Sequence, residues 1–309
     1  IYWKSHGAAG LLISGTTRRQ GIVAMTDIAP TVLSHFDIPI PVDMSGRPMY
    51  PVAAQNTLAA LTKTNHNLIA VHQARPPMVK GYVFTQIIAV ALTATALLFW
   101  RKRIRYFQLI LLALSSVPLA FLIMGFFPGL PLGLFTIGVI LAAGGITGLS
   151  MLGARQHPLA PFMTVALLTA AALLVDILLG APLIRSSVLG YDPMGGARYY
   201  GLGNEYMGVL IGSLVMGTAT LFQIFKPGKL LFTGVIAVYL AALFVIGGPH
   251  LGTNAGGAGA AALAFSFSAY QLAPVKVTRP QIAWAGAVVI SMLCGFVIWD
   301  TGRDRKSVV

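Results

Sequence analysis

Apolar runs alternate with short polar connections along most of this chain. A helix needs roughly 20 apolar residues to cross about 30 Å of hydrocarbon, and eight runs from Tyr82 to Trp299 come close to that length. The pattern predicts a mainly α fold, a polytopic helical membrane bundle of about eight spans within residues 82–300. The predicted spans are Tyr82–Trp100, Tyr106–Phe127, Leu130–Leu152, Leu159–Leu179, Tyr206–Phe225, Leu230–Ile246, Ala255–Leu272 and Ile282–Trp299.

Basic residues between these spans fall mainly on one side. Alternate connections hold nine Lys or Arg residues, whereas the opposite connections hold only Arg185 and Arg198. Arg75 and Lys80, just before the first span, raise the second count to four. By the positive-inside rule the nine face the cytoplasm. We therefore expect a multi-pass protein of the plasma membrane with residues 1–81 external.

Composition supports a membrane protein and argues against a nucleic-acid-binding one. Hydrophobic residues make up 56% of the chain and charged residues 9%, whereas charged residues form about a quarter of a soluble domain. The net charge is +13, but about half of the cations lie in the predicted cytoplasmic loops, where they can meet anionic headgroups. The predicted partner is the lipid bilayer, and no nucleic acid is expected.

Residues 1–50 show the shorter alternation of an α/β domain. Asp27 is predicted to cap a helix that runs to about Phe36, because its side chain can accept the free N–H groups of a first turn. The paired Arg18 and Arg19 either approach an anionic substrate or are simply solvated. The predicted strands are Ile1–Trp3, Leu11–Ser14 and Gly21–Ala24.

Residues 51–81 are predicted to form a juxtamembrane linker helix. The helix is expected to end in a stiff turn at Arg75-Pro76-Pro77, because proline lacks an N–H and disrupts a helix interior. His66 and His72 lie six positions apart, which does not place them on one helical face. We therefore interpret them as interfacial residues rather than metal ligands.

Two stretches resemble the C-terminal end of the alkaline phosphatase superfamily. They are Gly21–Leu33, with the sequence GIVAMTDIAPTVL, and Gly46-Arg47-Pro48. The superfamily includes sulfatases, cofactor-independent phosphoglycerate mutases and phosphoethanolamine transferases. The resemblance covers about 50 of 309 residues, and it implies that residues 1–50 are the remnant of an external α/β domain.

The resemblance also implies where the catalytic groups lie. In that superfamily the nucleophilic Ser or Thr and the Asp and His ligands of a two-metal site precede these stretches, and divalent metals stabilise the displacement. We therefore expect no catalytic or metal-binding residue in this chain and no ester hydrolysis by it alone. The chain begins at Ile1 without an initiator Met, so we expect a fragment of a longer protein. Residues 304–309 are expected to be a sequencing-adaptor scar.

Polar residues at the predicted external ends of the spans form the candidate site. Asp176, near the end of the fourth span, either reaches the headgroup region or pairs with an arginine of the next loop. Two glycine-rich connections then bring opposite charges to a region of low dielectric, where pairing is strong. Both features also have a purely structural interpretation. Glu205 would stabilise a helix N-terminus through the helix dipole, and the small residues of 247–260 would allow tight helix packing. The candidate external polar site comprises Asp192, Arg198, Asn204, Glu205, His250 and Asn254.

Two functions remain open. In the first, the chain is the membrane-anchor portion of an alkaline-phosphatase-like hydrolase or phospho-group transferase. That enzyme would act at the external membrane face on a lipid-linked, anionic-headgroup or cell-envelope substrate. In the second, it is a transporter or lipid-handling protein with a regulatory external domain. A nucleophile and metal ligands in the preceding sequence would favour the first.

Overall fold

The computed structural model describes residues 10–99, 104–155, 157–196, 198–225 and 228–274, with 278, 280 and six positions between 286 and 295. The predicted strand at Ile1–Trp3 and residues 304–309 lie outside the described part. Two strands are present, β1 (Leu11–Ser14) and β2 (Met49–Val52). The helices are α1 (Ile28–His35), α2 (Thr57–Phe99), α3 (Ile104–Ile123), α4 (Leu132–Ser150), α5 (Ala160–Leu178), α6 (Asn204–Ile224), α7 (Lys229–Gly247) and α8 (Ala255–Leu272).

The predicted mainly helical bundle is confirmed in its coarse form. Within the described residues, six helices are long and apolar enough to cross a membrane, with mean hydropathies from 1.7 to 2.5. α8 has the bounds predicted for the seventh span but is not among the six. The predicted eighth span, Ile282–Trp299, falls mostly outside the described residues. The six are Thr57–Phe99, Tyr106–Phe126, Leu132–Gly153, Ala160–Leu178, Asn204–Ile224 and Lys229–Gly247.

The first of these helices, α2, is twice as long as predicted. It runs unbroken for 43 residues, which is about 64 Å at about 1.5 Å per residue. That is about twice the thickness of a hydrocarbon core, so the N-terminal half extends beyond a membrane. The turn predicted at Arg75–Pro77 is therefore wrong, since Pro76 and Pro77 lie inside the helix. Contacts of His72 and Arg75, described below, hold the helix at this point.

The N-terminal segment, residues 10–56, folds around a two-stranded antiparallel sheet. β1 pairs with β2 in the register Leu11 with Val52 and Ser14 with Met49. The predictions of strand Leu11–Ser14 and of the following helix are confirmed, whereas the strand predicted at Gly21–Ala24 is wrong. There the Gly21 N–H donates to the carbonyl of Leu12 at 2.8 Å, which turns the chain back before a third strand can form.

Asp27 is fully buried and joins this segment together rather than capping α1 as predicted. One oxygen accepts hydrogen bonds from the Ser14 hydroxyl (2.6 Å) and the Ala24 N–H (2.9 Å). The other accepts from the Thr16 hydroxyl (2.5 Å) and the Arg47 N–H (3.0 Å). Burial alone would raise the pKa of Asp27, but these hydrogen bonds outweigh it and hold the pKa below its ordinary value.

Helices α3 to α8 pack around a common core that includes Tyr206, Phe121 and Leu173, all buried. α5 and α6 approach closely, because a Cβ at Gly217 would lie 2.6 Å from the Leu167 side chain. Buried hydroxyls pair inside this core. The Ser187 hydroxyl donates to the carbonyl of Phe121 at 2.9 Å and contacts the Tyr206 hydroxyl at 2.6 Å.

Asp176 is buried, with 3% of its surface exposed, and its carboxylate binds backbone N–H groups. Its two oxygens accept the N–H groups of Leu183 and Ile184, each at 2.9 Å. The Arg185 guanidinium instead donates to the carbonyls of the loop that follows α5. Asp176 therefore fixes the path of this loop, and among the described residues it forms no ion pair with an arginine.

Candidate functional site

Three connections and the N-terminal segment meet at one end of the bundle, here called the proximal end. The connections are residues 127–131, 179–203 and 248–254, and the two longer ones are the glycine-rich loops singled out in the sequence. The Leu202 N–H donates to the carbonyl of Gly252 at 2.7 Å, which joins these two loops directly. The candidate residues thus lie on one connected surface.

Gly201 permits this junction. Its φ is +78°, and a Cβ there would lie 2.4 Å from the carbonyl oxygen of Gly252. Only glycine combines that backbone conformation with so close an approach. The tight folding predicted for these loops therefore has a specific cause at this position.

Asn254 and Asn204 are brought together at the same junction. The Asn254 amide donates to the carbonyl of Leu202 at 2.9 Å and to the Asn204 side-chain oxygen at 3.2 Å. The Asn254 oxygen accepts the N–H of Gly257 at 2.8 Å, which caps α8. These two predicted site residues converge, and the hydrogen bonds assign them to holding the loops.

Asp192 and Glu205 pair with α2 instead of with Arg198. The Asp192 carboxylate lies 2.6 Å from His72 Nδ1. Glu205 forms an ion pair with Arg75, which also donates to the carbonyl of Gly190. The two carboxylates are therefore paired with residues of α2, whereas the Arg198 guanidinium donates to the Thr253 carbonyl.

The spacing of His72 and Arg75 could have indicated these α2 contacts. His72 and Arg75 are three positions apart, a spacing that places both on one helical face. That face meets residues 179–203, and both contacts lie in the turn of α2 that precedes Pro76 and Pro77. Because a turn was predicted at Arg75–Pro77, this shared helical face was not considered.

Arg198 lines a cavity of about 260 Å³ at the proximal end. Its guanidinium donates to the carbonyl of Thr253 at 3.3 Å. Thr16, Tyr199, Tyr200 and Thr253 complete the lining, so a guanidinium and several hydroxyl groups surround one space. His250 is exposed on the same loop but does not line this cavity.

Arg18 connects the N-terminal segment to both glycine-rich loops. Its guanidinium lies 4.1 Å from the centroid of the Tyr200 ring, a cation–π geometry. The same guanidinium donates to the carbonyl of Pro249 at 3.0 Å. Arg18 has φ +52°, an uncommon conformation for a non-glycine residue. The sequence alone left Arg18 open between solvent and substrate, because its partners lie far away in the chain.

Arg198, Tyr199 and Tyr200 thus line a space that the N-terminal segment reaches. A guanidinium beside hydroxyl groups is chemistry suited to an anion. Within the described residues, no group of three or more His, Cys, Asp and Glu side chains could hold a metal ion. Comparison of the chain with protein-family models, with curated proteins and with solved structures finds no significant match.

Proposed function

We propose that this chain is the membrane-embedded platform of an alkaline-phosphatase-like hydrolase or phospho-group transferase. The platform holds the catalytic domain over the proximal end and presents the anionic group of a lipid-linked, cell-envelope substrate there. The observation that carries the proposal is the contact of Arg18 with both glycine-rich loops, because it fixes the N-terminal segment beside the Arg198 cavity. The two divalent metals implied by the resemblance belong to the preceding domain.

Rigid docking is what such a platform requires, since catalysis depends on holding reacting groups in a fixed geometry. Asp27 locks the turn that carries Thr16 and Arg18 to the rest of the segment. The same segment leads into α2, whose long N-terminal half is tied to the 179–203 loop by His72 and Arg75. Two separate attachments therefore fix the segment on the bundle.

The Arg198 cavity has the chemistry of an anionic substrate site. Guanidinium groups form strong, charge-assisted hydrogen bonds with phosphate and sulfate oxygens. Tyr199 and Tyr200 add hydroxyl donors on apolar rings, a combination suited to the boundary between water and lipid. This supports a substrate group that stands at the membrane surface.

The transporter alternative has less support. Asp176 is the clearest ionisable candidate for an intramembrane pathway. Its two oxygens instead accept the N–H groups of Leu183 and Ile184 in the 179–203 loop. Deeper in the bundle, the Tyr239 hydroxyl contacts Thr218 at 2.5 Å and Ser268 at 2.8 Å. These described polar groups satisfy one another inside the bundle, which favours a structural role for it.

The full-length protein in proteoliposomes tests the proposal with two substrates, soluble p-nitrophenyl phosphate and phosphatidylethanolamine in the bilayer. Both should turn over only with divalent metal. Arg198→Gln should lower kcat/KM for the lipid at least about tenfold, because a charge-assisted hydrogen bond contributes about 1.5–3 kcal/mol. Turnover of the soluble ester should be unchanged.

Lys80→Gln is the matched control, since Lys80 is exposed on α2 outside the cavity and the charge change is the same. It should behave as wild type with both substrates. Metal-independent turnover would overturn the alkaline-phosphatase-like assignment, and absence of turnover would overturn the enzyme assignment. An equal loss on both substrates in Arg198→Gln would overturn substrate presentation.

A further inference from the structure

A second, smaller cavity lies at the proximal end, apart from Arg198. Its volume is about 120 Å³. It forms where the β1 turn, the outer half of α2 and the connections after α3 and α5 meet. Among its lining residues, the ones with polar side chains are Arg19, Thr64, Asn67, Arg185, Ser186 and Asp192.

Two arginines, Arg19 and Arg185, belong to this lining. The Nη1 atom of Arg19 is buried and has no hydrogen-bond partner, the only such side-chain atom in the described part of the chain. Arg185 is held in place by hydrogen bonds to the carbonyls of Ala181 (3.3 Å) and Gly180 (3.1 Å). A buried charged donor without an acceptor is unfavourable, so Arg19 lacks the partner that its position calls for.

The electrostatics around Arg19 point the same way. Burial lowers the pKa of Arg19; the nearby Tyr191 hydroxyl opposes this lowering, and the positive charge of Arg185 adds to it. Burial raises the pKa of the nearby Tyr191 hydroxyl, and both guanidiniums oppose that rise. An anion between the two arginines would relieve their mutual repulsion.

The carboxylate in the lining is already engaged. Asp192 contacts His72 Nδ1 at 2.6 Å through one oxygen and accepts the Met194 N–H at 3.0 Å through the other. Asn67, Thr64 and Ser186 add neutral donors to the same lining. The Asp192 carboxylate therefore has partners other than the two guanidinium groups.

We propose that this cavity binds a tetrahedral oxyanion, a phosphate or sulfate group, between Arg19 and Arg185. Planar guanidinium forks match the geometry of such oxygens. The cavity volume of about 120 Å³ leaves room for one oxyanion group. The site goes beyond the proposed function, because it needs neither a preceding domain nor Arg198.

The bound anion joins three parts of the fold. Arg19 belongs to the N-terminal segment, Arg185 to the loop after α5, and Asn67 to α2. A ligand that binds the folded arrangement stabilises it in proportion to its occupancy. Binding should therefore raise the thermal stability of the chain.

The test uses the purified chain in a maltoside detergent, which carries no phosphate. Inorganic phosphate and dioctanoyl phosphatidylglycerol are titrated separately, with calorimetry and thermal unfolding as readouts. Wild type should bind at least one probe with millimolar or tighter affinity. Arg19→Gln and Arg185→Gln should each weaken binding at least about tenfold, which is about 1.4 kcal/mol.

Lys63→Gln is the control, because Lys63 is exposed on α2 beside the cavity without lining it. It should bind as wild type. Arg19→Lys keeps the charge but not the fork, and should bind with intermediate affinity. Because the arginines come from separate segments, a folding defect in one variant leaves the other decisive.

The two probes distinguish the source of the oxyanion. Saturation by inorganic phosphate, without competition from the lipid, supports a soluble ion. Tighter binding of the lipid, with phosphate as a weak competitor, supports a headgroup. Binding of neither probe to wild type, or unchanged binding by both Gln variants, would overturn the proposal.

Discussion

Asp27→Asn should release the N-terminal segment while leaving the bundle folded. The carboxylate accepts four hydrogen bonds, two on each oxygen. An asparagine keeps one acceptor oxygen and places an NH₂ group against two donors. Two of the four hydrogen bonds are lost, at about 1.5–3 kcal/mol each for a charged acceptor, so the segment should lose about 3–6 kcal/mol of local stability.

Hydrogen exchange measures this loss directly. Amides of β1 exchange when the segment opens locally, and that opening follows its local free energy. A loss of about 3–6 kcal/mol should speed β1 exchange by about two to four powers of ten, while the core amides of α5 and α6 keep their protection. Asp43→Asn is the control, because Asp43 is exposed in the same segment.

The same carboxylate gives the segment a pH dependence. The pKa of Asp27 is lowered on folding, so its contribution is fully present above the unfolded value of about 3.9. The contribution falls as pH drops below that value and through the folded pKa. β1 exchange, corrected for intrinsic rates, should therefore rise in acid in wild type and not in Asp27→Asn. Wild-type exchange in Asp27→Asn at neutral pH would refute the reasoning.

Two further predictions concern the proximal end. Gly201→Ala should separate the two glycine-rich loops and lower stability by about 1–2 kcal/mol from the left-handed backbone alone, and more from the 2.4 Å approach to Gly252. Gly228→Ala is its control in thermal unfolding, since no atom lies within 4 Å of a Cβ there; equal losses would contradict the close-approach argument. For topology, a cysteine at Met194 should react with an impermeant external reagent and one at Gly228 should not, with Cys294 replaced by Ser in both. The reverse result would invert the predicted orientation.

Local signals in the sequence determined most of the helical architecture. Run length and apolar composition predicted the helices that correspond to α3 to α8, because a membrane span must satisfy its own backbone hydrogen bonds within one segment. β1 and α1 were also predicted, since both depend on neighbouring residues. The glycine-rich loops were also recognised from the sequence, because a crowded turn with positive φ, such as that at Gly201, requires glycine.

Only the tertiary structure decided which polar groups meet. His72 pairs with a carboxylate 120 residues away, and Arg75 with one 130 residues away. α2 continues through Pro76 and Pro77, against the local preference that predicted a turn. Arg18 reaches a carbonyl 231 positions along the chain, and Arg19 and Arg185 share a cavity. A periodic pattern indicates which face of its own helix or strand a residue occupies. Which residue of another element it contacts depends on how the elements pack.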